Sequence, residues 1–431
     1  MRFLVKLRGI LARFRPKKKK PETPSATSDE QDVSHVSHGK FIHPAESEVH
    51  EATILGFPSR CSLPPSQYDA VCAELIGLAL VIAEFEPVRI YVRPDDKDSA
   101  ESLIKATDKD SSNVTLIPCP INHCWVRDTG PVYVRAATET VPNRRFALNF
   151  RFNEWGGKEP KHDDRRWGQQ WPVMDEETLR ENADFARWVI EHDCQPMSVT
   201  QIDAPIRVEG GALVTDGDGT LLITESSVVC ARRNPLPRAG TEGPAYDYLH
   251  GSCEISRPGM SKASIEDELK RLLGVEKVIW FPGRADADIT DVHMDAEARF
   301  IRPGVVVYSK PHDTASNLWK EISTEIREIL ERETDARGRR LEIHTIEEPD
   351  PHGLVQTDED ELAASYVNFY FVNGGLIIPR FGDDERDAKA RDVLQALCPE
   401  RVVRQVYMNA IPLSGGVIHC VTQQVPAVNG K

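Results

Sequence analysis

The sequence contains no uninterrupted apolar run of the ~18 residues that a membrane span needs. Its longest apolar stretch, residues 75–85, carries Glu84 and reads as a helix of a protein core. No apolar core follows the first charges, so no secretory signal is expected. Cys-x-x-Cys is absent, and the nine cysteines (Cys61, Cys72, Cys119, Cys124, Cys194, Cys230, Cys253, Cys398 and Cys420) are odd in number. Their spacing excludes zinc-type sites and argues against a disulfide framework in a chain of 431 residues. A reducing compartment, the cytoplasm, fits best, with most of these thiols acting as small buried fillers.

What is present is ample apolar material and an uneven charge. Hydrophobic residues make up 40% of the chain, enough for a sizeable core. The formal charge is −15, yet residues 1–20 hold nine Lys or Arg and no acid. The remainder then has 44 basic against 68 acidic residues, a formal charge of −24. Such a body repels nucleic acid and membrane surfaces and steers small cations toward itself. Residues 1–40 form a separate basic extension, expected to be disordered. Phe3, Leu4, Leu7, Ile10, Leu11 and Phe14 fall on one helical stripe, and Lys17 to Lys20 form a basic run, which leaves a mitochondrial or nuclear address open.

From residue 41 the chain reads as one globular domain, 41–431. Helical runs with apolar spacing of roughly 3.6 residues precede short β-branched strands. Residues 68–85, 265–273, 317–333 and 388–397 are the predicted helices, followed by strands 88–92, 278–281, 341–346 and 402–407. Further strands are expected at 304–309 and 375–379, and a hairpin at 213–224 turns on Asp-Gly. The fold class is α/β, and the recurrence at unequal intervals hints at a structural repeat. The stretch 158–195, with Trp167 and Trp171, reads as an insertion or a long excursion.

Four segments combine glycines or acids with a reactive side chain: Trp125-Val-Arg-Asp-Thr-Gly-Pro131, Val208-Glu-Gly-Gly-Ala212, Asp288-Ile-Thr-Asp-Val-His-Met-Asp295 and Gly415-Gly-Val-Ile-His-Cys-Val-Thr-Gln-Gln424. On a strand, His293 and Asp295 would share a face, an arrangement suited to proton transfer. Cys420 follows a Gly-Gly that permits close approach of a ligand. Its neighbour His419 would face the other way on a strand, so its base must come from elsewhere, and His293 is the available candidate. Taken singly, each segment is as well explained by structure: a local ion pair at Arg127-Asp128, a strand end at Glu209, a buried filler thiol at Cys420.

Together with Ser365-Tyr-Val-Asn-Phe-Tyr-Phe-Val-Asn-Gly-Gly375, Pro379-Arg-Phe-Gly-Asp383 and Asn153-Glu-Trp-Gly-Gly157, these segments resemble the agmatine deiminase family, also called bacterial-type peptidylarginine deiminases. The likeness runs over about residues 41–430. It implies a five-bladed pseudo-symmetric α/β propeller of ββαβ-type units. Asp128, Glu209, His293, Asn368 and Cys420 lie 81, 84, 75 and 52 residues apart, compatible with one motif per blade.

The resemblance also implies roles. Cys420 attacks the carbon of a guanidinium, His293 shuttles protons, and Asp128 and Asp295 bind the guanidinium nitrogens. Glu209, Trp125, Trp155 and Asn368 contact the substrate. It implies no metal and no cofactor, a small cationic guanidino substrate as partner, and hydrolysis of agmatine to N-carbamoylputrescine and ammonia, a step toward putrescine. Citrulline formation from protein or free arginine is the alternative, followed by amidino transfer or an inactive cation-binding propeller. A homo-oligomer is left open. Val292, Val417, Phe57 and Ser47 depart from the family pattern, which bears on the far end of the pocket.

Overall fold

The computed structural model describes residues 41–137, 145–157, 174–192, 199–236, 258–354 and 363–428. The basic extension 1–40, with Trp167, Trp171, Cys194 and Cys253, lies outside the described residues.

One pattern is laid down five times. An antiparallel strand pair is followed by a helix, and the helix returns the chain to a strand parallel to the second of the pair. In the fourth sheet the pair is Ala298–Arg302 and Val305–Lys310, the helix is Asn317–Arg332 and the parallel strand is Glu342–Glu347. In the fifth the pair is Tyr370–Val372 and Gly375–Arg380, with helix Asp384–Leu397 and strand Val402–Tyr407. The third uses Val214–Thr215 and Thr220–Thr224, helix Lys262–Leu273 and strand Lys277–Phe281. The second uses Val132–Ala136 and Arg145–Asn149, helix Glu176–His192 and strand Thr200–Asp203, with Phe41–Ile42 added at its edge. Residues 158–195 are therefore not wholly an insertion, because they contain the crossover helix that a parallel third strand requires.

The first sheet completes a ring. Its parallel strands His50–Gly56 and Val88–Val92 are joined through helix Tyr68–Ile82, and Val114–Pro118 is added beyond them. Its antiparallel partner comes from the other end of the chain: Gln423–Pro426 pairs with His50–Gly56. The result is a five-bladed α/β propeller closed by its own C-terminal strand.

Local sequence explains the elements. Ser261 accepts from the Ser264 N–H at 3.2 Å to start its helix, and Gly274, at φ 70°, ends it. The Asp383 carboxylate caps helix Asp384–Leu397 through the Arg386 N–H at 3.1 Å. Helix Tyr68–Ile82 is apolar almost all round and is buried between sheets. Three apolar clusters join neighbouring blades. One runs from the fourth through the fifth to the first sheet, one links first and second, and one links third and fourth.

Closure by Gln423–Pro426 makes a prediction. All four of its residues are buried, and the Pro426 carbonyl accepts from Arg145 Nη1 at 2.6 Å. Deleting residues 423–431 should abolish the cooperative thermal transition followed by circular dichroism. A midpoint within about 5 °C of the full chain would refute the closing role.

Candidate active site

All the candidate side chains but Trp155 sit in segments that lead into the first strand of an antiparallel pair. Asp128 precedes Val132–Ala136, Glu209 precedes Val214–Thr215, and His293 and Asp295 precede or adjoin Ala298–Arg302. Asn368 precedes Tyr370–Val372, and Cys420 precedes Gln423–Pro426. Five equivalent loops of five blades thus deliver the site.

The thiol of Cys420 lies 3.8 Å from Asp295 Oδ2 and 3.4 Å from Asn368 Nδ2. Its loop is fixed from behind, where Asn368 Oδ1 accepts from the His419 N–H at 2.9 Å and the Cys420 N–H at 3.3 Å. Glycine is needed at 416, where a β-carbon would come within 3.1 Å of the Cys420 sulfur and 2.6 Å of the Trp125 ring.

His293 stands between two acids, with Nδ1 3.7 Å from Asp128 Oδ2 and Nε2 3.4 Å from Glu209 Oε2. Asp128 is held by the Gly211 N–H at 2.9 Å and by Trp155 Nε1 at 2.8 Å. Glu209 is gripped through both oxygens by Nε of Arg233, at 2.7 and 2.9 Å, and that arginine is fully buried. Arg233 also binds Asp291 Oδ2 at 2.7 Å, which ties Glu209 to the loop carrying His293. In that loop Val292 adopts φ 70° although it is β-branched and buried. That conformation costs roughly 1–3 kcal/mol and persists only where neighbours over-determine it. They do here: the Asp288 carboxylate accepts from the Thr290 and Val292 N–H groups, at 2.8 and 3.0 Å.

Gly211 marks the centre. A β-carbon there would lie 2.6 Å from His293 Nδ1, 2.9 Å from Asp128 Oδ1 and 3.2 Å from Asp295 Oδ2. Asp295 accepts from His419 Nδ1 at 2.7 Å through Oδ2, while its Oδ1 is buried without a partner. A buried carboxylate oxygen left unpaired is costly unless something supplies a donor.

The electrostatics follow from this crowding. Burial, then Asp295 and Asp128, push the Cys420 thiol well above its ordinary value. Burial alone would lower His293, but the charges of Asp128 and Glu209 win and raise it to about 9. Burial raises Asp128 despite His293. Glu209 is driven the other way, to about 2, because Arg233 and His293 outweigh its burial. At neutral pH the site therefore holds a protonated Cys420 thiol, an imidazolium at His293 and an ionised Glu209. A flat cation with several N–H donors placed between Asp128 and Asp295 would bring positive charge beside the sulfur.

Several sequence expectations need correction. His293 and Asp295 are not on a strand: His293 precedes the single turn Met294–Glu297, and the two side chains still meet beside Gly211. Cys420 lies in a turn rather than a strand, and His419 reaches the same Asp295 oxygen that lies near the thiol, with its other nitrogen on Glu46. Asn368 has no exposed surface and holds the Cys420 loop from behind, so it is placed for support and not for substrate contact. Trp155 orients Asp128, while Trp125 packs in the core against Gly416. Val292, Val417 and Phe57 are each 1% exposed and lie in packed cores, not at the far end of a pocket. Ser47 lines a separate polar cavity with His43, Glu46, Arg127, Arg299 and His419.

Sequence reasoning missed Arg233, Glu46 and the part played by His419. Pro44-Ala-Glu46 and the His419-Cys420 pair were the signals available.

The model of the Porphyromonas-type peptidyl-arginine deiminase family matches residues 42–249 and 252–426. The chain belongs to this family. Within reach of the family are the agmatine deiminase of Pseudomonas aeruginosa, 32% identical over 402 residues, and that of Ectopseudomonas mendocina, 31% identical over 409. Each match covers 90% of this chain and 96% of the relative. The solved agmatine deiminase of Enterococcus faecalis superposes with a TM-score of 0.71 at 26% identity, covering 90% of this chain and 97% of that one. Members of this family are hydrolases of C–N bonds in linear amidines, and this chain shares their five-bladed fold.

The glycine at the centre gives a direct test. Gly211→Ala should lower turnover at least ~100-fold, since an added methyl displaces His293 and Asp128 together. The melting midpoint should move by only a few degrees. Turnover within about twofold of the parent would show that the site is not organised around Gly211.

Proposed function

We infer that this chain hydrolyses agmatine to N-carbamoylputrescine and ammonia through a covalent amidino-Cys420 intermediate. The observation that carries the reading is the Cys420 sulfur 3.8 Å from Asp295 Oδ2, beside the point at Gly211 where His293, Asp128 and Asp295 converge. Agmatine is favoured over other guanidines by the curated relatives, which are named for it at 31–32% identity.

Asp128 and Asp295 grip the guanidinium nitrogens and leave its central carbon open to sulfur. The incoming positive charge lowers the pKa of the thiol, which gives up its proton to solvent as the substrate binds. The thiolate adds to the carbon. The bond to one terminal nitrogen then breaks as imidazolium His293 protonates it, and ammonia departs. An amidine thioether remains on Cys420. Neutral His293 next takes a proton from water, the hydroxide oxygen adds to the same carbon, and the C–S bond breaks to give the urea and a free thiolate. Splitting one displacement into two steps suits a resonance-stabilised electrophile. Glu209 keeps His293 oriented and charged, with Arg233 holding Glu209 in place.

Arginine, free or within a peptide, is the second reading, favoured by the family model's name. Intact-mass spectrometry after brief exposure to agmatine, arginine and an arginyl peptide separates the two. An amidine adduct on Cys420 with agmatine is expected, and Cys420→Ser should release no ammonia. An adduct with peptide alone would reassign the substrate, and an active Cys420→Ser variant would overturn the mechanism.

The pH profile has a definite sign. Protonated His293 is the required acid and its pKa is raised to about 9. kcat/KM should therefore be sustained below that value and fall as pH rises through it. A profile flat to about pH 10 would remove His293 from that role.

A further inference from the structure

His419 is a buried ring between two acids. Nδ1 lies 2.7 Å from Asp295 Oδ2, and Nε2 lies 2.7 Å from Glu46 Oε2. Glu46 is anchored in turn: its Oε1 accepts from Arg299 Nη2 at 2.8 Å and the Phe371 N–H at 3.0 Å, and its Oε2 faces Arg127 Nη2 at 3.3 Å. None of Asp295, His419, Arg127, Arg299 and Glu46 is more than 9% exposed.

An ionised carboxylate can only accept hydrogen bonds. Two arginines on Glu46 favour its ionised form, and burial fails to outweigh them and His419. Asp295 is buried, and apart from His419 the charges of His293 and Arg299 lie close enough to favour its ionised form. With an ionised acid 2.7 Å from each ring nitrogen of His419, both positions would donate, and a histidine that donates at both is an imidazolium. The acids of the site are thereby each matched with a cation: Glu209 with Arg233, Asp128 with His293, Asp295 with His419. Asp295 also lies beside Cys420, and His293 and Arg299 act on it more weakly.

We propose that Glu46 and His419 form a positioning pair for Asp295, in which an imidazolium anchored by Glu46 binds Asp295 Oδ2, keeps the carboxylate ionised and fixes its place beside Cys420. The proposal rests on the reading above that Asp295 grips the guanidinium. Neither residue touches the reacting atoms. The pair acts through Asp295, so its loss weakens cation binding more than it slows chemistry.

Two measurements test this. The first uses the substrate-free full chain with 15N-labelled histidine. The His419 signals, assigned by their absence in His419→Asn, should show both ring nitrogens protonated at neutral pH, and Glu46→Gln should convert the ring toward a neutral tautomer. A neutral His419 in the parent overturns the proposal, whatever the enzyme turns over and even if the variants fail to fold. The second is kinetic. Glu46→Gln should lower kcat/KM for agmatine by roughly 10- to 100-fold, the range typical when an outer partner of a charged group is lost. Most of that loss should sit in KM, and Glu46→Asp should restore part of it. Parent-like kcat/KM in a folded Glu46→Gln variant overturns the proposal. If the parent turns over no agmatine, the functional reading fails, while the nitrogen spectra still decide the state of His419.

Discussion

Buried negative charge is the constraint on which the site depends. Asp128, Asp295, Glu209 and Glu46 lie within one water-poor region, each 9% exposed or less or lined by buried neighbours. An ionised carboxylate in such a place needs a cation or several donors. Arg233, Arg299, Arg127, His293 and His419 provide them, and one oxygen is left over. The unpaired Asp295 Oδ1 is the one carboxylate oxygen of these four acids left without a donor among the described residues. The same acids, with burial, keep the resting thiol protonated, and under the proposed mechanism a bound cation would offset them.

The propeller makes this charge density sustainable. Five equivalent loops approach one centre, and each brings a different chemical part: the acid with its Trp155 donor, the Glu209–Arg233 pair, the imidazole, the supporting amide and the thiol. Backbone space is used as tightly as charge. Gly211 and Gly416 stand where a methyl would strike the reacting groups, and Val292 is held in a left-handed conformation next to His293 by the Asp288 cap. The closing strand Gln423–Pro426 follows directly on the Cys420 loop, so the ring and the nucleophile are fixed by the same segment.

Much of this was legible in the linear chain. Strands Val88–Val92 and Val402–Tyr407 match the β-branched runs residue for residue, because short apolar alternation bounded by turns carries its own signal. Helix Lys262–Leu273 begins three residues earlier than periodicity alone marks, since its start is set by the Ser261 cap. The helix Glu176–His192 was hidden inside a charged stretch, where a strong polar face obscured its narrow apolar stripe.

The sequence by itself determined the repeating helix–strand grammar, the thiol, the imidazole and the two aspartates, because reactive side chains beside glycines are a local signal. Tertiary structure alone decided how they are compensated. Arg233 is 24 residues from Glu209, and Glu46 is 373 residues from His419, so no spacing rule could pair them. It also moved Asn368 behind the sulfur and turned His419 from a bystander into the link between Glu46 and Asp295. The physical reason is that charge balance in a low-dielectric interior is settled by distance through space, and closing the ring is what sets those distances.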